Sequence, residues 1–216
     1  MTLEDRILFI DGEVIVLDKP AGLPVDAPRR GGDSIEARLH ELLCGYKRLP
    51  TPMHRLDRDT SGCLLFARHK PARQWFQAEL EAGRMDKRYL AVVGGEVAED
   101  GGTIDMPLGK ISSADAGWRM TYDQQGKSAV TDWKRLAVKD GSSLVEFRPK
   151  TGRTHQIRVH AREGLGHGIV GDRVYGFPGG PMLLHAQSIA IARKNGTRLE
   201  VAAPLPEHFE GWTDVA

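Results

Sequence analysis

No apolar run in this chain approaches the roughly 20 residues that a membrane-spanning helix needs, so nothing in it asks for a bilayer. Its opening stretch, MTLEDRILFIDGE, mixes acids into the apolar residues and does not read as a secretory leader. Cysteine is scarce: Cys44 and Cys63 sit in unlike contexts with no CxxC pair. That argues for two thiols in a reducing, cytoplasmic setting and against a disulfide or a metal pair. Aromatic residues make up only 6% of the chain, which argues against an extended stacking platform for single strands. Net charge is also nearly absent, at +1, and this excludes a uniformly basic protein. It hides a polarity, however. Residues 47–90 hold 10 Lys and Arg against 5 Asp and Glu, and residues 146–173 hold 6 against 3. One basic face on a nearly neutral protein is what phosphate binding requires.

What is present fits one domain spanning residues 1–216, with 40% hydrophobic and 27% charged residues. Val14 to Leu17 reads as a strand broken by Pro20, Gly22 and Pro24. Residues 33–43 read as a helix opened by an Asp33–Glu36 capping pair, with Ile35, Leu39, Leu42 and Leu43 on one stripe. GCLLFAR follows the irregular TPMHRLDRDTSG as a buried strand, and Pro71 suits the first turn of a helix ending near Gly83. The inner face of that helix is Trp75, Phe76 and Leu80. KRYLAVV is a further strand, and the stretch 95–127, rich in Gly, Asp and Ser, reads as repeated turns. SAVTDWKRLAV and SLVEFRPK form a hairpin around Lys139-Asp140-Gly141, and LLHAQSIAIA and TRLEVAAP form another around Asn195-Gly196. THQIRVHARE suits a short helix capped by Thr154. Strands outnumber helices and hairpins recur, so the fold class is α+β, a mixed, mainly antiparallel sheet with flanking helices.

Three segments carry chemistry. In His54-Arg55-Leu56-Asp57-Arg58-Asp59-Thr60-Ser61-Gly62 an Asp flanked by arginines precedes a buried strand, which can hold it at the strand's edge. Taken alone, the same pattern is also a salt-bridge network bracing a loop. Thr151-Gly152-Arg153-Thr154-His155-Gln156-Ile157-Arg158-Val159-His160 adds donors and acceptors at a helix start, where Arg153 is placed to meet phosphate; alone it is also a surface charge pattern. Lys87-Arg88-Tyr89-Leu90 opens a strand with two cations and an aromatic, equally readable as an edge strand with a core Tyr.

Together, HRLDRDTSG, KRYLAVV and TGRTHQIRVH, followed by GDRVYG and LLHA, closely resemble the RluA-type pseudouridine synthases. VLDKPAGLPV resembles the lysine–proline segment near the start of that family's catalytic domain, and GKSAVTDWKRL its glycine–lysine stretch. The resemblance runs in order from about residue 13 to about 205. It implies the pseudouridine synthase catalytic fold and RNA as substrate. It implies Asp57 as the catalytic carboxylate, Tyr89 as the aromatic that packs on the flipped base, and Arg158 as the arginine that pairs with the carboxylate and keeps it charged. Arg55 falls in the segment that helps extrude the nucleotide, and Leu184 at the apolar wall. His54, Arg58, Lys87, Arg88, Arg153, His155 and Gln156 complete the implied RNA-binding set.

Uridine isomerisation breaks a nitrogen–carbon glycosidic bond, turns the uracil over and rejoins it through carbon to the same ribose. A carboxylate can engage the sugar, and a phenol can share in removing the proton from carbon 5. Nothing is oxidised and no external group is transferred, so neither cofactor nor metal is expected. The target is buried in stacked RNA, so extrusion or a loop substrate is required. His155 and His160 are five apart, and no HExxH or CxxC accompanies them, which argues against a metal. Two rival classes are a non-catalytic RNA-binding module of the same fold and a glycosidase pairing Asp57 with Asp59. Many family members carry an S4-type domain ahead of the catalytic one; this chain resembles the short members that lack it. RNA choice is then expected from loops such as 26–32 and 109–126. The protein is expected to be a monomer with no obligate protein partner.

Overall fold

The longest apolar runs become strands buried on both faces. A computed structural model describes residues 1–28, 31–113 and 117–215. In chain order the first strands are β1 (Ile7–Ile10), β2 (Val14–Lys19), β3 (Thr51–Pro52) and β4 (Ser61–Ala67), followed by α1 (Lys70–Glu81). Next come β5 (Asp86–Val93), β6 (Gly101–Asp105), β7 (Leu108–Ser113), β8 (Gly117–Tyr122), β9 (Val130–Lys139) and β10 (Ser142–Pro149). After α2 (Gln156–Val159) the chain closes with β11 (Leu184–Ala192) and β12 (Arg198–Ala202). The fold is α+β, with a mixed, mainly antiparallel sheet.

The chain divides into two compact units. The first comprises Met1–Lys87 and Ala186–Leu205. Its strand order is β1-β2-β4-β11, with β12 on β11 and β3 on β4. Every residue of β4 is buried, as are Val14 to Leu17 of β2, so these strands show no polar alternation. Their side chains pack with Phe76 and Ala72 of α1, Met85, Ile189, Ile191 and Leu199. Complete burial of a side chain such as Phe76 stabilises the fold by roughly 1.5–3 kcal/mol. In the antiparallel β2–β4 ladder Lys19 stands opposite Gly62. Gly62 has φ +103°, and a Cβ there would lie 2.3 Å from the Ala186 carbonyl oxygen, so no other residue fits.

The second unit comprises Arg88–His185 and Pro206–Ala216. Its strand order is β5-β10-β9-β6, with β7 and β8 forming a separate two-stranded ribbon. β9 and β10 meet at Asp140 and Gly141, both at positive φ, as a two-residue hairpin with native twist requires.

Some local expectations are corrected. Residues 33–43 do not form an α-helix: a 3-10 helix spans Glu36–Leu42. The cap position is Ile35, which offers no side-chain bond; Ser34 Oγ accepts from the Ala37 N–H at 3.0 Å, while Asp33 is turned to Arg38 at 3.7 Å. Glu36 instead accepts from the Ala27 N–H at 3.0 Å. The 95–127 stretch carries three strands, β6, β7 and β8, rather than turns alone. Thr154 does not cap the helix after it. His155 occupies the cap at φ +55°, and a π-helical turn follows at His160–Gly164. Within loops 26–32 and 109–126, residues 29–30 and 114–116 lie outside the described set.

Candidate active site

Each unit carries its own group of candidate residues. In the first, Asp57 lies in the loop that feeds β4, and the backbone around it is fixed from several directions. The Arg58 carbonyl accepts from Lys19 Nζ at 3.0 Å and from the Gly22 N–H at 2.9 Å. Arg58 Nε returns a bond to the Gly22 carbonyl at 3.1 Å, and the Thr60 N–H closes a turn onto the Asp57 carbonyl at 3.1 Å. Leu56 is buried beneath the loop. A side chain carried on a backbone braced in this way has a fixed seat.

Lys19 is the centre of this bracing, and it is fully buried. Its Nζ also donates to the carbonyls of Pro20 and Leu23, both at 2.8 Å. Three carbonyls match the three N–H groups of an ammonium. Burial lowers this group to about 7, against the opposing pull of Asp59, Asp57 and Asp18. The lysine–proline segment was visible in the sequence, but this clamp was not.

The charged neighbours of Asp57 face outward. Arg55 is exposed and pairs with Asp26 at 2.7 Å, and Arg58 is exposed with Asp59 at 3.9 Å. His54 is half-buried, and its Nε2 accepts from the Leu65 N–H at 3.1 Å, tying the loop to β4. Burial, with Lys87 nearby, pushes His54 down to about 4, so it is neutral in the folded protein. Lys87 is itself lowered by burial. An unfolded His54 titrates near 6.5, so stability present above pH 6.5 is lost as the pH falls toward 4. The expected loss is about 3 kcal/mol. Urea unfolding across that range checks it, and His54→Gln, which keeps an acceptor at the same reach, should remove the His54 share of the slope and leave that of the buried His160 and of His208.

In the second unit, Tyr89 lies on β5 opposite Phe147 of β10, with its ring buried. Arg88, one residue earlier, pairs with Glu146, which also holds Arg148 Nε at 2.6 Å. Leu184 is buried at the start of β11. In the 151–158 segment the Gln156 amide is engaged internally: its Oε1 accepts from Thr151 Oγ1 at 2.8 Å and the Arg153 N–H at 2.9 Å. Its Nε2 donates to the Val130 carbonyl and Thr131 Oγ1. This ties the segment down and leads into the strained backbone at His155. Arg153 is exposed, with Nε on the Ser128 carbonyl at 2.9 Å. His160 is a core histidine, bonded to Thr131 Oγ1 and the Met106 carbonyl.

Arg158 is buried, and its Nε and Nη2 form a two-pronged pair with Asp172, each bond 2.7 Å. Asp172 also accepts from the N–H groups of Val174 at 2.9 Å and Tyr175 at 3.2 Å. Burial alone would raise its carboxyl; Arg158 and those two N–H groups outweigh this and hold it below the usual range. The Tyr175 ring lies 5.0 Å from the Arg158 guanidinium carbon, and its hydroxyl is 2.8 Å from His155 Nδ1. Asp172 and Tyr175 belong to GDRVYG, a segment recognisable in the sequence without a role for either residue. Among the described residues no group of three or more His, Cys, Asp or Glu is placed to hold a metal ion.

The RNA pseudouridylate synthase family model matches residues 13–163. An uncharacterised RNA pseudouridine synthase of Zymomonas mobilis is 49% identical over 211 residues, covering 96% of both chains. The ribosomal large subunit pseudouridine synthase D of the same organism is 35% identical over 79% of this chain and 56% of its own length. Among solved structures, human RNA pseudouridylate synthase domain containing 4 superposes with a TM-score of 0.80 at 26% identity, over 96% of this chain and 91% of that one.

Proposed function

Since the chain belongs to the RNA pseudouridylate synthase family and is therefore an isomerase, we propose that it converts specific uridines of ribosomal or transfer RNA to pseudouridine, with Asp57 as the catalytic carboxylate. Family membership, at 49% identity over 96% of both chains, carries this reading. The ribosomal target draws on relatives named for the large ribosomal subunit, at 35% and 31% identity.

In the proposed reaction Asp57 engages the ribose as the bond from uracil nitrogen 1 to the sugar breaks. The released base turns within the site and forms a bond from carbon 5 to the same sugar carbon. The proton of carbon 5 is lost to water and nitrogen 1 gains one, so atoms balance without oxidant, cofactor or metal. Tyr89 packs on the base, and Arg158, held in place by Asp172, is the arginine that serves the carboxylate chemistry. Arg55, Arg58, Lys87, Arg88 and Arg153 meet phosphates, and His54, His155 and Gln156 hold the loops that carry these groups. Leu184 supplies apolar wall. The protein acts as a cytoplasmic monomer, recognising RNA through the residues named above. Pseudouridine mapping in a strain lacking the gene should show one or a few uridines unmodified relative to its parent. Wild-type protein should restore them and Asp57→Asn should not; identical maps in mutant and parent would refute the reading.

A further inference from the structure

The β7–β8 ribbon presents a half-exposed tryptophan backed by a residue of the 151–158 segment. Trp118 is 48% exposed, and its ring stacks on that of His155 with centroids 5.2 Å apart and planes 15° apart. His155 is held in turn by the Tyr175 hydroxyl, so the imidazole is a fixed support. The ribbon itself is latched along its outer edge. The Met120 N–H donates to Tyr175 Oη at 2.9 Å, and Glu163 accepts from the Tyr122 N–H at 2.9 Å and Thr121 Oγ1 at 3.0 Å. These bonds cover an edge that would otherwise be open, yet the indole stays in water.

The charge of the ribbon points to the ligand. Its described residues include Lys110 and Arg119 and no acid. Lys110 stands opposite Met120 and Ser112 opposite Trp118, which puts Lys110 and Trp118 on one face. The Lys110 ammonium is 5.1 Å from the indole centroid, on a stem long enough to move to a phosphate. A flat, supported ring with a lysine ammonium on the same face, on a ribbon whose described residues include no acid, suits a base and its phosphate, the pairing used for unpaired nucleic acid.

We propose that the β7–β8 ribbon is an RNA-contacting arm, in which Trp118, backed by His155, stacks on an unpaired nucleotide flanking the target uridine while Lys110 meets its phosphate. This rests on the RNA substrate of the proposed function and adds to it a single specificity-determining ring, not an extended platform.

Two readouts test it. The first is tritium release from RNA labelled at uracil carbon 5 and isolated from a strain lacking the gene. Trp118→Ala should raise KM about tenfold, within the range of one stacked base, with kcat little changed, and Trp118→Phe should recover most of the loss. The second is tryptophan fluorescence on titrating a ten-nucleotide oligouridylate, where wild type should be quenched and Trp118→Phe much less so. A KM unmoved by Trp118→Ala overturns the proposal. So does a fall in kcat that Trp118→Phe does not repair, which would mark Trp118 as a support for His155 alone. If wild type releases no tritium, the catalytic reading fails, and the fluorescence titration still decides whether Trp118 meets RNA.

Discussion

Replacing Asp57 by Ala or Asn is expected to lower pseudouridine formation by roughly 10⁴-fold or more, the scale seen when an essential nucleophile is removed. RNA binding should survive, because the residue's neighbours are held by other bonds. The Arg58 carbonyl keeps Lys19 and Gly22, His54 keeps Leu65, and Leu56 stays buried. Loss of turnover with binding retained is the signature of a group that acts mainly in the transition state. Tritium release and filter binding on one RNA preparation separate the two quantities. Asp59→Asn, on an exposed side chain, should retain activity, and this opposes any reading in which the two aspartates work as a pair.

The second large effect is expected at the Arg158–Asp172 pair. Asp172→Ala leaves a buried guanidinium without the carboxylate that takes its Nε and Nη2, and this should cost about 3–5 kcal/mol of unfolding free energy. Arg158→Ala should lower turnover by roughly 10²–10³-fold, the cost of removing one well-placed donor. A double variant, Arg158→Met with Asp172→Leu, separates structure from chemistry. A buried ion pair replaced by apolar residues of similar volume often loses no stability, so this protein should regain much of its stability in urea yet stay inactive. An active double variant would show Arg158 to be structural only.

The core was legible where burial is complete. VIVL and GCLLFA read as strands because both faces are apolar, and the hairpin at Asp140-Gly141 announced itself by residues that accept positive φ. β7 and β8 were not legible. LGKISS and GWRMTY show no apolar alternation, and the second is latched by Tyr175 and Glu163 from far along the chain. The cap at His155 was hidden for a similar reason, since the Gln156 amide ties down Thr151 and the Arg153 N–H, and no local signal foretells that.

The candidate site divides in the same way. Asp57, Tyr89 and Arg158 stood out because three ordered motifs resemble one family. Lys19 and Asp172 did not, because a lysine or an aspartate is ordinarily solvated. Only the folded chain shows the Lys19 ammonium bonded to three carbonyls and Asp172 buried on Arg158. Both act on backbone or side chains next to the assigned residues, and that is a role no motif states.

The most direct test of Asp57-dependent pseudouridine formation is tritium release by purified wild-type protein from ribosomal and transfer RNA labelled at uracil carbon 5 in a strain lacking the gene. The expected result is release that matches new pseudouridine mole for mole and stops at one or a few sites per RNA, with none from Asp57→Ala. Binding of that RNA without tritium release, or release undiminished in Asp57→Ala, would contradict it.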